Sequence, residues 1–176
     1  MPARAKIAVT TDGDLRMNAS KAALLAELEA NGIEAARKLR ALDPERFHSG
    51  VYENGWNGRQ VLAHIASIEW TYGRLIELAG APPASDAAGE RAATGRDGMD
   101  GYNQRQVEKR ADTPVEDLIA EFEANRAKTI AAVRGADDAL FDVPIRSLGG
   151  RTGTLAKVLH EVAVEHVAGH TADITG

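Results

Sequence analysis

The sequence predicts an all-α protein built as a four-helix bundle, and three observations carry that expectation. Apolar residues recur at three- and four-residue steps almost wherever a period can be read, which is the spacing of one helix face. Runs of β-branched residues in period-two alternation, the mark of strands, are absent from the sequence. Four long periodic segments are separated by stretches carrying Pro, Gly and Asp, and helices joined in this way pack as a bundle.

Residues 1–17 are expected to be a weakly ordered leader, with a single domain over 18–176. Arg4 and Lys6 precede Ile7, Ala8 and Val9, a run too short for a signal-peptide core. The first helix is expected over about 18–42, with Leu24, Leu25, Leu28, Ala35 and Leu39 on one stripe. Asn18 or Ser20 can cap it, and Asp43 before Pro44 ends it, because a residue preceding proline disfavours the α region. Asn31 and Gly32 weaken its middle and mark a candidate kink. The second helix follows Trp56. Asn57 suits its N-cap, and Val61, Ile65, Ile68, Tyr72, Leu75, Ile76 and Ala79 form its apolar row up to the stop at Gly80 to Pro83.

From there a long Ala-, Gly- and Asp-rich connection runs to Gly101, of a length that is usually functional or mobile. A short helical lead over 102–110 breaks at Ala111 and Asp112. Thr113 as cap, Pro114 at the first helical position and Glu116 three residues after the cap open the third helix. It carries Leu118, Ile119, Phe122, Ile130 and Val133 and stops at Gly135. After a loop over 144–153 the last helix opens at Thr154, with Leu155, Leu159, Val162, His166, His170 and Ile174 expected on one inward face.

Composition narrows the function. At 176 residues the chain is long enough for one domain that buries roughly 70% of its unfolded surface. A net charge of -5 and a pI near 5.6 argue against a nucleic-acid binder, which needs a basic stripe. Having no cysteine excludes disulfides, Cys-ligated zinc, iron–sulfur clusters and a thiol nucleophile on the protein. No apolar stretch approaches the roughly 18 residues of a membrane helix, and a cytoplasmic location is the expectation. Aromatics make up only 5%, so the helices give a thin core, and pairing as a homodimer is expected to add burial.

The five histidines are the informative residues. His166 and His170 stand four apart, one turn apart on one helix face, which suits two imidazoles on one metal. His64, between Val61 and Ile68, lies on the inward face of another helix and supplies a third. Three neutral nitrogens with open water positions describe a catalytic type of metal site rather than a closed structural one. The alternative is a buried polar cluster without metal. His160, about 120° off the His166 face, and His48, in the first interhelical turn, are expected at the surface or rim. His160-Glu161 begins like a metalloprotease motif, but Val164 stands where the second histidine belongs. A di-iron bundle would need two inward Glu-x-x-His pairs, and only Glu45 to His48 has that spacing, in a turn.

The loop Gly149-Gly150-Arg151-Thr152-Gly153-Thr154 runs into a helix N-terminus but lacks the Gly-Lys-Ser/Thr ending of a phosphate-binding loop. It is read as a turn whose Arg151 is placed to meet an anionic substrate.

Two stretches resemble a known family. Trp56-Asn57-Gly58-Arg59-Gln60-Val61-Leu62-Ala63-His64-Ile65 is similar to the entry into the second helix of the DinB-like metal-binding four-helix bundles. Glu165-His166-Val167-Ala168-Gly169-His170-Thr171-Ala172-Asp173-Ile174 resembles their last helix, with its His-x-x-x-His. Asp100-Gly101-Tyr102-Asn103 followed by Thr113-Pro114 looks closer to the branch that includes the N-terminal domain of mycothiol-dependent maleylpyruvate isomerase. The resemblance spans roughly residues 20–174. It implies an up-down-down-up bundle of the DinB/YfiT kind with one divalent ion, zinc or nickel, on His64, His166 and His170. It also implies a low-molecular-weight thiol, of the mycothiol or bacillithiol kind, used in isomerisation or S-transfer to an electrophile.

Two departures limit what carries over: the isomerase has a further C-terminal domain, and its ligand set has Glu where this sequence has His166. The expected function is therefore a metal-dependent enzyme that activates a small thiol, with Trp56, Tyr102, Asn103 and Arg151 as candidate walls of the cofactor site. A metal-binding or stress-related module without turnover and a metal-dependent hydrolase are the alternatives.

Overall fold

Helix α1 spans Asp12–Arg40 and buries Leu24, Leu28, Ala35, Ala36 and Leu39, close to the stripe that its sequence predicts. The structure, a computed structural model, describes residues 12–52, 55–81 and 95–176, with side chains from position 20 in the first stretch and from position 98 in the last. Most of the expected leader lies outside the described residues. From Asp12 the chain is already helical, so Asn18 and Ser20 sit inside α1 and do not cap it. The weak point at Asn31-Gly32 does not end the helix either. A Cβ on Gly32 would come within 3.0 Å of the Arg126 side chain, so the glycine leaves the space through which that arginine crosses.

A 3-10 turn, Pro44–His48, capped by Asp43, carries Phe47 into the core. Helix α2, Gly58–Ile68, starts at a complete capping box. The Gln60 backbone N–H donates to the Asn57 side chain, and the Gln60 side chain accepts from the Asn57 backbone, both at 2.9 Å. A Cβ on Gly58 would meet the Arg46 carbonyl oxygen at 3.0 Å, so glycine lets the 3-10 turn lie this closely against α2. The row continues through a 3-10 turn, Glu69–Thr71, into α3, Gly73–Gly80.

Helix α4, Gly95–Glu108, begins earlier than expected, inside what reads as loop because its first turns carry glycine and charge instead of an apolar row. Helix α5, Val115–Gly135, starts one residue later than the sequence suggests. Pro114 occupies the cap position and its carbonyl takes the first helical bond, from Leu118. Thr113 does not cap; its carbonyl instead accepts from Arg59 Nη2 at 2.6 Å.

Two short strands, β1 Pro144–Arg146 and β2 Thr152–Thr154, pair antiparallel and turn the expected loop into a hairpin. Thr154 then caps the last helix, α6, which is an α-turn Leu155–Leu159, a π-helical segment His160–Glu165 and an α-helix His166–Thr175.

Helices α1 and α2 each pack against both α5 and α6, so the bundle is a square with α1 and α2 on one diagonal. Its core is divided along its length. One end holds Leu24, Leu28, Tyr72, Val133, Phe141, Leu155 and Leu159. The other holds Leu39, Phe47, Val61, Leu62, Ile65, Leu118, Ile119 and Ile174. Between them Ala35, Ala66, Phe122 and Val167 form a narrow waist.

Beside the waist lies a buried ion pair: Arg126 Nε is 2.7 Å from Glu69, and the two side chains are 4% and 0% exposed. Burial raises the Glu69 pKa and the Arg126 guanidinium opposes that rise. No helix among the described residues is long and apolar enough to cross a membrane.

Candidate metal centre

The cap at Asn57 fixes the phase of α2, and His64, with 4% of its surface exposed, follows Val61, Leu62 and Ala63 onto the buried side. The last helix reaches its histidines differently. A π turn takes an extra residue, which advances everything after it by about one position relative to a straight α-helix. The fully buried row therefore passes through Leu159, Ala163, Val167, Thr171 and Ile174, not through Val162, His166 and His170. His166 and His170 flank that row and are half-buried, facing the rim where α2 passes.

The wide turn frees backbone carbonyls, and buried side chains take them up. The Tyr72 hydroxyl donates to the Val162 carbonyl at 2.5 Å and Arg126 Nη2 donates to that of Ala163 at 2.6 Å.

The outcome is a convergence of three ring nitrogens. His166 Nε2 lies 2.9 Å from His170 Nε2 and 3.5 Å from His64 Nε2. One ligand atom from each of the three fits within 4.8 Å of the others. Three nitrogens bound tetrahedrally at about 2.0–2.1 Å would stand about 3.3 Å apart, so the observed spacings bracket what one ion needs. Burial, then the neighbouring imidazoles, push His64 down to about 3. Burial, then His170, then Arg151, push His166 down to about 4, and burial lowers His170. All three are neutral at pH 7, which leaves lone pairs for a cation. The donor set fits a divalent metal.

Around the nitrogens, the Trp56 ring tilts against His64 with centroids 5.4 Å apart, and its Nε1 donates to Gln104 Oε1 at 3.1 Å. Trp56 is thus beside the site. Tyr102 and Asn103 are half-buried on α4, but it is the next residue, Gln104, that reaches Trp56. Arg151 is exposed beside β2, 3.9 Å from Glu161, and near enough to His166 for its charge to be felt there.

His160 is turned away toward Glu27, 3.2 Å off on α1, and His48 is exposed, as expected for rim and surface residues. Two residues near the site had no signal in the sequence: Gln104, and Tyr52, whose hydroxyl meets His170. Asp173 was within reach of sequence reasoning, being three residues after His170 on one helix face.

The helices form a four-helix bundle in which α2 and α6 bring three imidazoles together as a candidate metal site. A sequence profile for the family described as "Mycothiol maleylpyruvate isomerase N-terminal domain" matches residues 28–175, and the chain belongs to that family. Among solved structures, mycothiol-dependent maleylpyruvate isomerase is similar at a TM-score of 0.65 and 19% identity, over 94% of this chain and 63% of that one. A variant of the same enzyme gives a TM-score of 0.65 at 18% identity, with the same shares of both chains covered. The chain therefore spans less than two thirds of that isomerase.

YfiT from Bacillus subtilis, described as "a probable metal-dependent hydrolase with an unusual four-helix bundle topology", is similar at a TM-score of 0.63 and 15% identity, over 98% of this chain and 90% of that one. These likenesses establish the shared bundle. No curated protein matches the sequence.

Proposed function

We propose that the chain binds one divalent ion, zinc or nickel, on His64, His166 and His170, and uses it to bind a low-molecular-weight thiol as the thiolate. The convergence of three neutral imidazoles with no carboxylate among the converging atoms carries this proposal. Such a ligand set leaves the ion's charge uncompensated, so a bound anion gains more there than at a site with an acidic ligand. A metal held this way supplies a Lewis-acidic centre with open positions that lowers the pKa of a coordinated thiol.

The protein's own residues do the rest. Trp56 walls one side of His64 and excludes water from that flank, Gln104 holds the indole, and Arg151 adds a positive charge on the His166 side. With no cysteine in the chain, the sulfur has to come from the ligand. The family's mycothiol-dependent isomerase supports this thiol class and an electrophilic small-molecule partner.

The test is reconstitution of purified protein with cobalt(II), then titration with a small thiol. A sulfur-to-metal charge-transfer band at one equivalent of metal is expected. Metal binding without any thiol-dependent band would overturn the thiol proposal and favour a hydrolase or a non-catalytic module. Failure to bind metal would overturn both.

A further inference from the structure

We propose that Tyr52 and Asp173 form a positioning relay that fixes His170 in the tautomer whose Nε2 lone pair faces the metal. The inference rests on the proposed metal site and assigns to it two residues outside the ligand set. The Tyr52 hydroxyl oxygen lies 2.6 Å from His170 Nδ1 and 2.5 Å from Asp173 Oδ2.

A phenol has one hydrogen and an ionised carboxylate can only accept, so the hydroxyl proton goes to Asp173. The contact with His170 must then be donated by the ring: Nδ1–H to the Tyr52 oxygen. That leaves Nε2 unprotonated, and this nitrogen is the one 2.9 Å from His166 Nε2. Asp173 Oδ2 is 3.7 Å from His170 Nδ1, beyond hydrogen-bond reach, so it acts through Tyr52.

The geometry is built, not incidental. Tyr52 belongs to a tight loop whose Val51 and Tyr52 N–H groups both donate to the Trp56 carbonyl, at 2.9 and 3.3 Å. Gly55 N–H closes the loop onto the Tyr52 carbonyl at 3.0 Å, and its φ of 95° suits glycine. The same loop thus sets Trp56 against His64 and Tyr52 against His170.

Among the described residues, the buried Nδ1 atoms of His64 and His166 have no protein hydrogen-bond partner. His170 is therefore the ligand whose tautomer the protein dictates.

Two measurements test it: long-range proton–nitrogen NMR of metal-free, histidine-labelled protein, which reads the tautomer, and zinc affinity by competition with a chromophoric chelator. The parent should show His170 with its proton on Nδ1. Tyr52→Phe should give a tautomer mixture and bind zinc about 10–100-fold more weakly, the usual effect of losing an outer-shell partner. Asp173→Ala leaves the Tyr52 hydroxyl without its acceptor, so it turns its proton to Nδ1 and drives His170 to the non-ligating tautomer. Its affinity should fall at least as far.

Combining the two substitutions should bring affinity no lower than Asp173→Ala alone, because Asp173 works only through Tyr52; a merely structural role would make the losses add. An unchanged tautomer and affinity in Tyr52→Phe, or losses that sum in the double variant, would overturn the relay. If the parent binds no zinc, the metal proposal falls, and the NMR arm still decides the relay's effect on His170.

Discussion

The three imidazoles are held by different neighbours, yet each supplies one of the three converging nitrogens. His64 is buried against Trp56, His166 lies closest to His170, and His170 is tied through Tyr52. His64→Ala, His166→Ala and His170→Ala are each expected to lower zinc affinity by more than the roughly 10–100-fold of an outer-shell change. His160→Ala, facing Glu27, should bind as the parent does. Competition titration of the four variants checks this, and loss of binding in His160→Ala with retention in His166→Ala would refute the assignment.

Acid should act on the same residues. Their folded pKa values lie below the ordinary value near 6.5, so below that pH the unfolded chain takes up protons that the folded chain does not. The stability that these neutral rings contribute to the metal-free protein is thus full above about pH 6.5 and lost as pH falls toward about 4 for His166 and about 3 for His64. Glu69, raised by burial, works in the opposite sense, and three histidines outweigh it. Urea midpoints at pH 7.5, 6 and 5 should fall in that order; a flat series would contradict the burial of the cluster. His166 and His170 were legible in the sequence because i,i+4 spacing is a local helix property. Tyr52 was not, since a loop 118 residues away in sequence brings it to His170.

At the scale of elements, the π segment and the buried pair behind it set where the last helix points. Arg126 joins four elements, through the Leu28 carbonyl on α1, Glu69 after α2, its own α5 and the Ala163 carbonyl on α6. Arg126→Met would leave Glu69 buried without its partner and should destabilise the fold by about 3–5 kcal/mol. Adding Glu69→Met should restore part of that loss, because an apolar pair replaces two buried charges. Chemical denaturation of both variants measures it, and a double variant no more stable than the single would show that the freed carbonyls dominate.

Tyr72→Phe, which removes the donor to the Val162 carbonyl, is expected to cost about 1 kcal/mol and to weaken zinc binding by loosening the phase of α6. The π turn was hidden in the sequence for a plain reason. Val162, Ala163, Val164 and Val167 are all apolar, so a one-residue advance leaves an apolar row in either register. The hairpin over 144–154 was hidden too, because strands of three residues are too short to show alternation.

For the whole molecule, the question is how far the fold depends on the metal. The bundle was legible because helical periodicity survives in each long segment, and the structure shows why it should stand without an ion. Its two apolar clusters lie toward opposite ends, each with several fully buried leucines and a phenylalanine, and each such side chain contributes about 1.5–3 kcal/mol on burial. The histidines join only α2 and α6, which already pack together over the His166–Thr175 segment.

Chelation should therefore leave helical content unchanged by circular dichroism, in contrast to a small metal-nucleated domain. The ion then adds stability by linkage alone, RT ln(1 + [M]/Kd), or about 4.1 kcal/mol at a free concentration 1,000 times Kd. In His166→Ala that increment should disappear, while the stability measured without metal stays near that of the metal-free parent, because the half-buried ring lies beside the core row and not in it. Thermal melts of both proteins with and without zinc test the point: collapse of the metal-free parent, or equal metal-induced shifts in both, would show that the site and the fold are not separable in this way.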